Sequence, residues 1–158
     1  MGASSAGRFR AAFDGGSRGN PGAAAWGVAV VDEAGECVER HGEAIGRATN
    51  NVAEYHGLLG ALRVAVERGA SDVRLLADSE LIVKQLKGVY RVRHPDLQPL
   101  YRQALALIER FDSFSIEHVR RERNKDADRL VNRILDRVAE GETGVAIRER
   151  GPVTGEPA

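Results

Sequence analysis

The sequence predicts an α/β fold in which a mixed five-stranded sheet is flanked by helices, in the order βββαβααβα. Residues 8–46 hold three strand-like runs separated by short links, and such strands are antiparallel neighbours because a parallel crossover needs a dozen or more residues. Residues 49–139 alternate helical apolar stripes with two short strands, which is typical of parallel crossovers onto the same sheet. The 158 residues suit one compact domain.

The first strand covers residues 8–13, where Phe9, Ala11 and Phe13 alternate on one side and lead to Asp14. Residues 15–22 are glycine-rich, and their composition alone is typical of an ordinary hairpin turn. The glycines also permit close approach of the backbone to a neighbouring chain or ligand. The second and third strands follow at residues 24–31 and 36–46.

A helical stripe follows from Val52 to Val66, preceded by the capping side chains of residues 49–51. Glu54 comes three residues after Asn51, which resembles a capping box. The remaining elements are a strand at 72–78, a helix from 79 to about 88, a helix opened by Pro95, a strand at 114–118 and a last helix capped by Asn124.

Composition restricts the class of protein. The 23 basic and 23 acidic residues balance, so any basic surface must be local. The single cysteine, Cys37, rules out a disulfide or a cysteine-based zinc site within the chain, which favours a cytoplasmic protein. No apolar run approaches the length needed to cross a membrane. We expect a flexible N-terminus at 1–7, one domain at 8–140, and a flexible tail or linker at 141–158 that leaves room for a further domain.

Four acidic residues occupy similar places at element boundaries: Asp14, Glu54, Asp78 and Asp128. Each has a structural alternative, since Glu54 and Asp78 suit helix caps and Asp128 suits the positive end of a helix. Strand C-termini and the following helix N-termini nevertheless share one edge of an α/β sheet, where ligands bind. If the first and fourth strands are adjacent, the carboxylates converge.

Converging carboxylates repel one another, and a divalent cation removes that repulsion. Oxygen ligands without thiolates or paired histidines favour Mg²⁺ or Mn²⁺ over zinc. Two such ions about 4 Å apart can activate a water and stabilise the leaving oxygen in phosphodiester hydrolysis. The sequence therefore predicts a site for two metal ions.

Four motifs that include these carboxylates occur in order, namely FDGGSRGNPG (13–22), TNNVAEY (49–55), LADS (76–79) and NKDADRLVN (124–132). Together they resemble type 1 ribonuclease H over about residues 8–139. The resemblance implies the same fold and an endoribonuclease that cuts the RNA strand of RNA–DNA hybrids, leaving 3′-hydroxyl and 5′-phosphate ends. It also implies two Mg²⁺ ions, with Mn²⁺ as a substitute, bound by Asp14, Glu54, Asp78 and Asp128.

The resemblance further implies contacts to the RNA strand, whose 2′-hydroxyls distinguish it from DNA. The matching positions carry loop amides and small polar side chains: Gly15, Gly16, Ser17, Asn20, Asn50 and Asn51. Asn50 and Asn51 are equally compatible with helix capping. We expect a monomer.

The chain departs from the family pattern where many members carry a histidine in a loop before the last helix. Here the link is short, and His118 lies within the predicted fifth strand, where a histidine is more often structural. Arg121 or Glu122 is an alternative occupant of that space. An inserted basic helix is also missing, so Lys84, Lys87, Arg91 and Arg93 are the candidates for contacts to the DNA strand, or are simply a solvated surface.

Two other functions are compatible with the fold. A non-catalytic hybrid-binding module has no need of four carboxylates, which repel phosphate in the absence of metal. A nuclease acting on structured DNA keeps the metals, but the Asn50–Asn51 pair and the glycine-rich loop favour recognition of RNA.

Overall fold

The computed structural model describes residues 7–151. Within them the strands are β1 (Arg8–Gly19), β2 (Gly22–Val31), β3 (Cys37–Ala48), β4 (Asp72–Ala77), β5 (Ser113–His118) and β6 (Ala146–Arg150). The helices are α1 (Asn50–Glu67), α2 (Glu80–Leu86), α3 (Gln98–Ile108) and α4 (Lys125–Ala139), with one 3₁₀ turn at Arg121–Arg123.

The six strands form one mixed sheet in the order β5-β4-β1-β2-β3-β6. β1, β2 and β3 are an antiparallel meander, whereas β4 is parallel to β1 and β5 is parallel to β4. The predicted α/β architecture is confirmed, and so is the adjacency of the first and fourth strands. This adjacency brings Asp14, within β1, beside the C-terminal end of β4.

The sheet has one strand more than the sequence predicted. Residues 146–150 were expected to belong to a flexible tail, but they form β6, which pairs antiparallel with β3 from Glu43↔Ala146 to Glu39↔Arg150. Val145 and Ile147 are buried against α4, and this contact fixes the strand. The sheet therefore includes residues beyond 140. Residues 1–6 and 152–158 of the two predicted flexible ends lie outside the described residues.

Helices cover the sheet from both sides. The larger apolar cluster joins β1, β2, β4 and β5 to α1 and α3 and buries Tyr55 and Phe13 almost completely. α4 packs on the opposite face through Leu130 and Ile134. Tyr55 donates a hydrogen bond from its hydroxyl to Oε1 of Gln85 at 2.6 Å, which fastens α2 to α1. In the described part of the chain, no helix has both the length and the hydrophobicity to span a membrane.

Candidate active site

The parallel pairing of β1 with β4 places Asp14 and Asp78 side by side. Phe13 and Ala77 are register partners in the β1–β4 ladder, and each is followed directly by one of the carboxylates. β1 continues past Asp14, since residues up to Gly19 still pair with β2. Asp14 consequently lies in the middle of a long strand and is only 9% exposed, whereas Asp78 lies between β4 and α2.

Glu54 reaches the same edge because α1 packs unusually close to β1. A Cβ atom on Gly15 would lie 2.2 Å from the carbonyl carbon of Ala53, so glycine is required at this contact. The side chain of Glu54 accepts a hydrogen bond from the Ser79 hydroxyl at 3.2 Å. The predicted capping box is wrong: Thr49 is the N-cap, and its hydroxyl accepts from the amide of Val52. Glu54 thus has no capping role and is free for the site.

Asp128 comes from the first turn of α4, on the other face of the sheet. The start of this helix is tied to β1 by Asn124, whose side-chain amide donates to the carbonyl of Phe13 at 2.9 Å. Asn124 occupies the N-cap position, but its side chain makes no capping hydrogen bond, so that prediction is wrong in its detail. The residue is 1% exposed, and its Oδ1 has no partner among the described residues.

The four carboxylates line one open cavity of about 840 Å³. The other residues that line it are Gly15, Gly16, Ser17, Arg18, Asn50, Asn51, Arg121, Val131, Asn132 and Leu135. A second cavity of about 930 Å³ lies at the opposite edge of the sheet, and its three arginines are matched by three acidic residues. Because the first of these two cavities holds four carboxylates against two arginines, it is the candidate active site.

Burial and mutual repulsion raise the pKa values of the carboxyl groups. The pKa of Asp14 rises to about 8, first because the group is buried and then because Asp78 lies close to it. Burial raises the pKa of Glu54 to about 7, although the hydrogen bond from Ser79 opposes the shift. The pKa of Asp78 is also raised by burial, and the charge of Arg121 is the largest influence in the opposite direction. The arginines that line the cavity therefore do not fully offset the charge of its carboxylates.

This donor set suits a hard divalent cation, because the side chains that line the cavity offer carboxylate, amide and hydroxyl oxygens and neither thiol nor imidazole. Within residues 7–151, however, no group of three or more histidine, cysteine or acidic side chains is arranged to hold a metal ion. The four carboxylates lie in β1, in α1, between β4 and α2, and in α4, and a bound cation would offset their mutual repulsion.

Small polar groups form one wall of the cavity. The amide of Ser17 donates to Oδ1 of Asn50 at 2.8 Å, and the amide of Asn50 donates to Oδ1 of Asn20 at 3.0 Å. These bonds join the β1–β2 hairpin to the start of α1. Asn51 lines the cavity, whereas Asn20 supports Asn50 without lining it. Asn50 is the first residue of α1, directly after the N-cap Thr49, and does not cap the helix.

The three auxiliary candidates lie in different places. His118 is the exposed last residue of β5, in register with Ala77, and it does not line the cavity. Glu122 is exposed in the 3₁₀ turn and is likewise outside the lining. Arg121 is the one that lines the cavity and acts on Asp78.

Three side chains at the site were not singled out from the sequence, namely Arg18, Asn124 and Asn132. Arg18 and Asn132 line the cavity, and Nη2 of Arg18 lies 3.3 Å from Oδ1 of Asn132. Both residues belong to the motifs named above, but the local sequence does not indicate that the β1–β2 hairpin contacts α4. The position of Asn124 before the last helix predicts only a helix cap and does not indicate its contact with Phe13.

The chain is similar to known proteins both in sequence and in structure. A family model described as reverse transcriptase-like matches residues 12–134. The bifunctional protein Rv2228c of Mycobacterium tuberculosis is 50% identical over 129 residues, which is 80% of this chain and 35% of that protein. The chain thus spans about a third of the length of the first curated relatives that it matches.

Two solved structures resemble the chain over nearly their whole length. RNase H1 from the halophilic archaeon Halobacterium salinarum has a TM-score of 0.79 and 47% identity, covering 83% of this chain and 99% of that one. LC11-RNase H1, solved in complex with an RNA/DNA hybrid, has a TM-score of 0.78 and 37% identity, again covering 83% and 99%.

Proposed function

The chain belongs to the type 1 ribonuclease H family, and from that premise we propose that it hydrolyses the RNA strand of RNA–DNA hybrids, leaving 3′-hydroxyl and 5′-phosphate ends. The observation that carries the proposal is the convergence of Asp14, Glu54, Asp78 and Asp128 on one cavity beside a polar wall. LC11-RNase H1, a relative with 37% identity, has been solved with such a hybrid. A binding module would gain nothing from this concentration of negative charge.

Ribonucleases H depend on metal ions, and we propose Mg²⁺, with Mn²⁺ as a substitute, held in a pair by the four carboxylates. When bound, such ions lower the pKa of a water and stabilise the leaving oxygen. The raised pKa values of Asp14 and Glu54 support this assignment, because a cation would replace the protons that these groups otherwise retain.

The protein's own side chains have supporting roles in this proposal. Ser79 orients Glu54 through a hydrogen bond of 3.2 Å, and Asn124 ties the start of α4 to Phe13 in the middle of β1. Arg121 is the auxiliary residue of choice, because it lines the cavity and its charge acts on Asp78, whereas His118 lies outside the cavity. Arg121 can therefore balance negative charge that develops on the phosphate.

Recognition of RNA is assigned to the polar wall. Ser17, Asn50 and Asn51 offer donors and acceptors to 2′-hydroxyls, and the glycine backbone at 15–16 allows the strand to approach closely. Asn20 acts by holding Asn50 at 3.0 Å. A DNA strand in the same place would lack the hydroxyl partners, and this would reduce its affinity.

Contacts to the DNA strand are assigned to the turn after α2. Val89 and Tyr90 are 65% and 45% exposed, and the ammonium of Lys84 lies 5.1 Å from the centre of the Tyr90 ring. Lys87 precedes these two residues and Arg91 follows them, and both add positive charge. An exposed aromatic ring among cations suits the sugar and phosphate groups of a nucleic-acid strand.

The experiment that tests the proposal is cleavage of labelled RNA–DNA hybrid, RNA duplex and DNA duplex with Mg²⁺ or Mn²⁺. We expect the hybrid alone to be cut and the reaction to stop on chelation. Asp78→Asn should lower turnover by at least about a hundredfold, since it removes several kcal/mol of charge stabilisation. Binding of the hybrid without cleavage would replace this proposal by the module, and cleavage of DNA duplex would replace it by a DNA nuclease.

The first turn of α4 offers a matched control. Asp126 and Asp128 both lie in that turn, but only Asp128 lines the cavity. Asp128→Asn should therefore lower turnover strongly, whereas Asp126→Asn should leave it within about threefold of the parent. Equal loss in the two variants would point to a general effect on the helix end.

The monomeric state, the cytoplasmic location, the domain limits at 8–140 and a further C-terminal domain stay predictions. The pairing of β6 with β3 favours moving the C-terminal limit of the domain to about residue 150. Light scattering on the purified chain measures the oligomeric state directly.

A further inference from the structure

Arg18 lies at the far end of the polar wall of the cavity. It is in β1, four residues beyond Asp14, which corresponds to about 13 Å along an extended strand. It follows Ser17 directly, and its register partner is Ala23 of β2. Of the residues that line the cavity, only Arg18 and Arg121 are cationic, against four carboxylates.

The guanidinium of Arg18 is held by α4. Its Nη2 lies 2.7 Å from Oδ1 of Asp136, 3.3 Å from Oδ1 of Asn132 and 3.4 Å from the carbonyl oxygen of Asn132. All three contacts involve the same nitrogen, so in the described part of the chain Nε and Nη1 are left for other acceptors. A two-pronged arginine–carboxylate pair would have used a second nitrogen, Nε or Nη1, together with Nη2.

This ion pair is too exposed to be needed for stability. The side chains of Arg18 and Asp136 are 43% and 64% exposed, and pairs of this kind contribute little to folding because water solvates both charges. A partner with more negative charge can displace Asp136. A phosphate group is such a partner, and the planar guanidinium matches its oxygens.

We propose that Arg18 binds a backbone phosphate of the RNA strand, outside the scissile position, and that Asp136 holds the guanidinium in place until the phosphate replaces it. This inference rests on the proposed function, because it assumes that the RNA strand follows the wall from Asp14 past Ser17. It adds a positive contact at the end of a site that is otherwise strongly acidic. Arg18 is thus a substrate-binding residue that touches no reacting atom.

The alternative is that Arg18 only fastens the β1–β2 hairpin to α4. The two possibilities differ in the effect of removing Asp136. If the pair is a fastener, Asp136→Ala and Arg18→Ala break the same contact and weaken hybrid binding alike. If Arg18 binds phosphate, Asp136→Ala frees the guanidinium, so affinity for the hybrid stays the same or rises.

The test is equilibrium binding of a fluorescent RNA–DNA hybrid to proteins that also carry Asp78→Asn, measured by anisotropy over a range of salt concentrations. Arg18→Ala should weaken binding about fivefold or more at low salt and reduce the slope of log K against log salt by about 0.9, the value for one lost phosphate contact. Arg18→Lys should keep the slope and lose part of the affinity. Thermal melting of each variant checks that the fold is intact.

Arg137→Ala is the matched control, because it removes one charge from α4 where Arg137 pairs with Glu142 outside the cavity. Its salt slope should equal that of the Asp78→Asn parent. An unchanged slope in Arg18→Ala, or equal weakening by Asp136→Ala, would overturn the inference. If the parent bound the hybrid no better than a DNA duplex, the proposed function would fail instead, whatever the slopes of the variants.

Discussion

Gly15→Ala tests the contact that brings Glu54 to the site. The new Cβ would lie 2.2 Å from the carbonyl carbon and oxygen of Ala53 and 2.5 Å from the amide nitrogen of Glu54. Ordinary contact between carbon atoms begins near 3.5 Å, so the backbone of α1 must retreat by roughly 1.3 Å. No side-chain rotation relieves this clash, because all three atoms belong to the helix backbone.

The expected cost has two parts. Overpacking of this kind costs about 1–3 kcal/mol, which for a domain of this size lowers the melting temperature by roughly 3–10 °C. Displacement of Glu54 by about 1 Å should also lower turnover about a hundredfold, because reacting groups must be positioned closely. Circular dichroism melting and initial rates on a labelled hybrid measure the two effects separately.

Gly16→Ala is the control for stability. Its added Cβ would meet only Oδ1 of Asn50 and Cγ1 of Val131, both at 3.9 Å, which is ordinary contact. We expect its melting temperature to stay within about 2 °C of the parent. If Gly15→Ala melted like Gly16→Ala and kept full turnover, the close approach of β1 and α1 would not control the position of Glu54.

Three further predictions concern the charges and the fastening of the site. In the metal-free protein Asp14 keeps its proton to about pH 8, whereas an unfolded aspartate loses its proton near pH 4. The free energy of unfolding should therefore fall as pH rises from about 4 to 8, by at most ~1.4 kcal/mol per pH unit. Melting in chelator should therefore show a smaller loss between pH 5 and 9 for Asp14→Asn than for the parent, and parallel curves would contradict the assignment. Asn124→Ala removes the side-chain donor to the carbonyl of Phe13 and should lower the free energy of unfolding by about 1–3 kcal/mol. It should also weaken Mg²⁺ binding, measured by calorimetry. Unchanged melting and Mg²⁺ binding would show that this hydrogen bond is dispensable. Arg121→Ala should lower turnover at least about tenfold and His118→Ala less than about threefold, since only Arg121 lines the cavity; the reverse order would assign the auxiliary role to His118.

The sequence predicted the convergence of the carboxylates because their positions follow from strand order. Once β4 is parallel to β1, Asp14 and Asp78 must lie at one edge, and the helices that cover the two faces bring Glu54 and Asp128 to it. Strand register and the rules for crossover connections were therefore enough to predict most of the site. Both depend on the order of strands and helices, which the apolar pattern indicates.

The errors lie where tertiary contacts decide the outcome. β6 carries a single buried side chain, Ile147, among alternating charges, so its pattern is too weak to predict a strand without knowledge of the free edge of β3. The start of α1 offered three adjacent capping residues, and local spacing did not show that Thr49 would be the one used. The contact of Arg18 with α4 depends on the orientation of the β1–β2 hairpin relative to that helix, which the local sequence does not indicate.

The register of β1 and β4 has a consequence for the kinds of mutation that the site can survive. Because Asp14 and Asp78 directly follow the paired residues Phe13 and Ala77, their separation is set by the spacing between hydrogen-bonded strands, about 4.8 Å, and not by the packing of neighbouring side chains. Substitutions in the core should thus lower the amount of folded protein while the folded molecules keep their carboxylates in place. A deletion of one residue within β4 is different in kind, since a shift of one position would turn Asp78 to the opposite face of the sheet. Evolution of this site should consequently tolerate exchanges among the core side chains of β1 and β4 more readily than changes in the length of these strands.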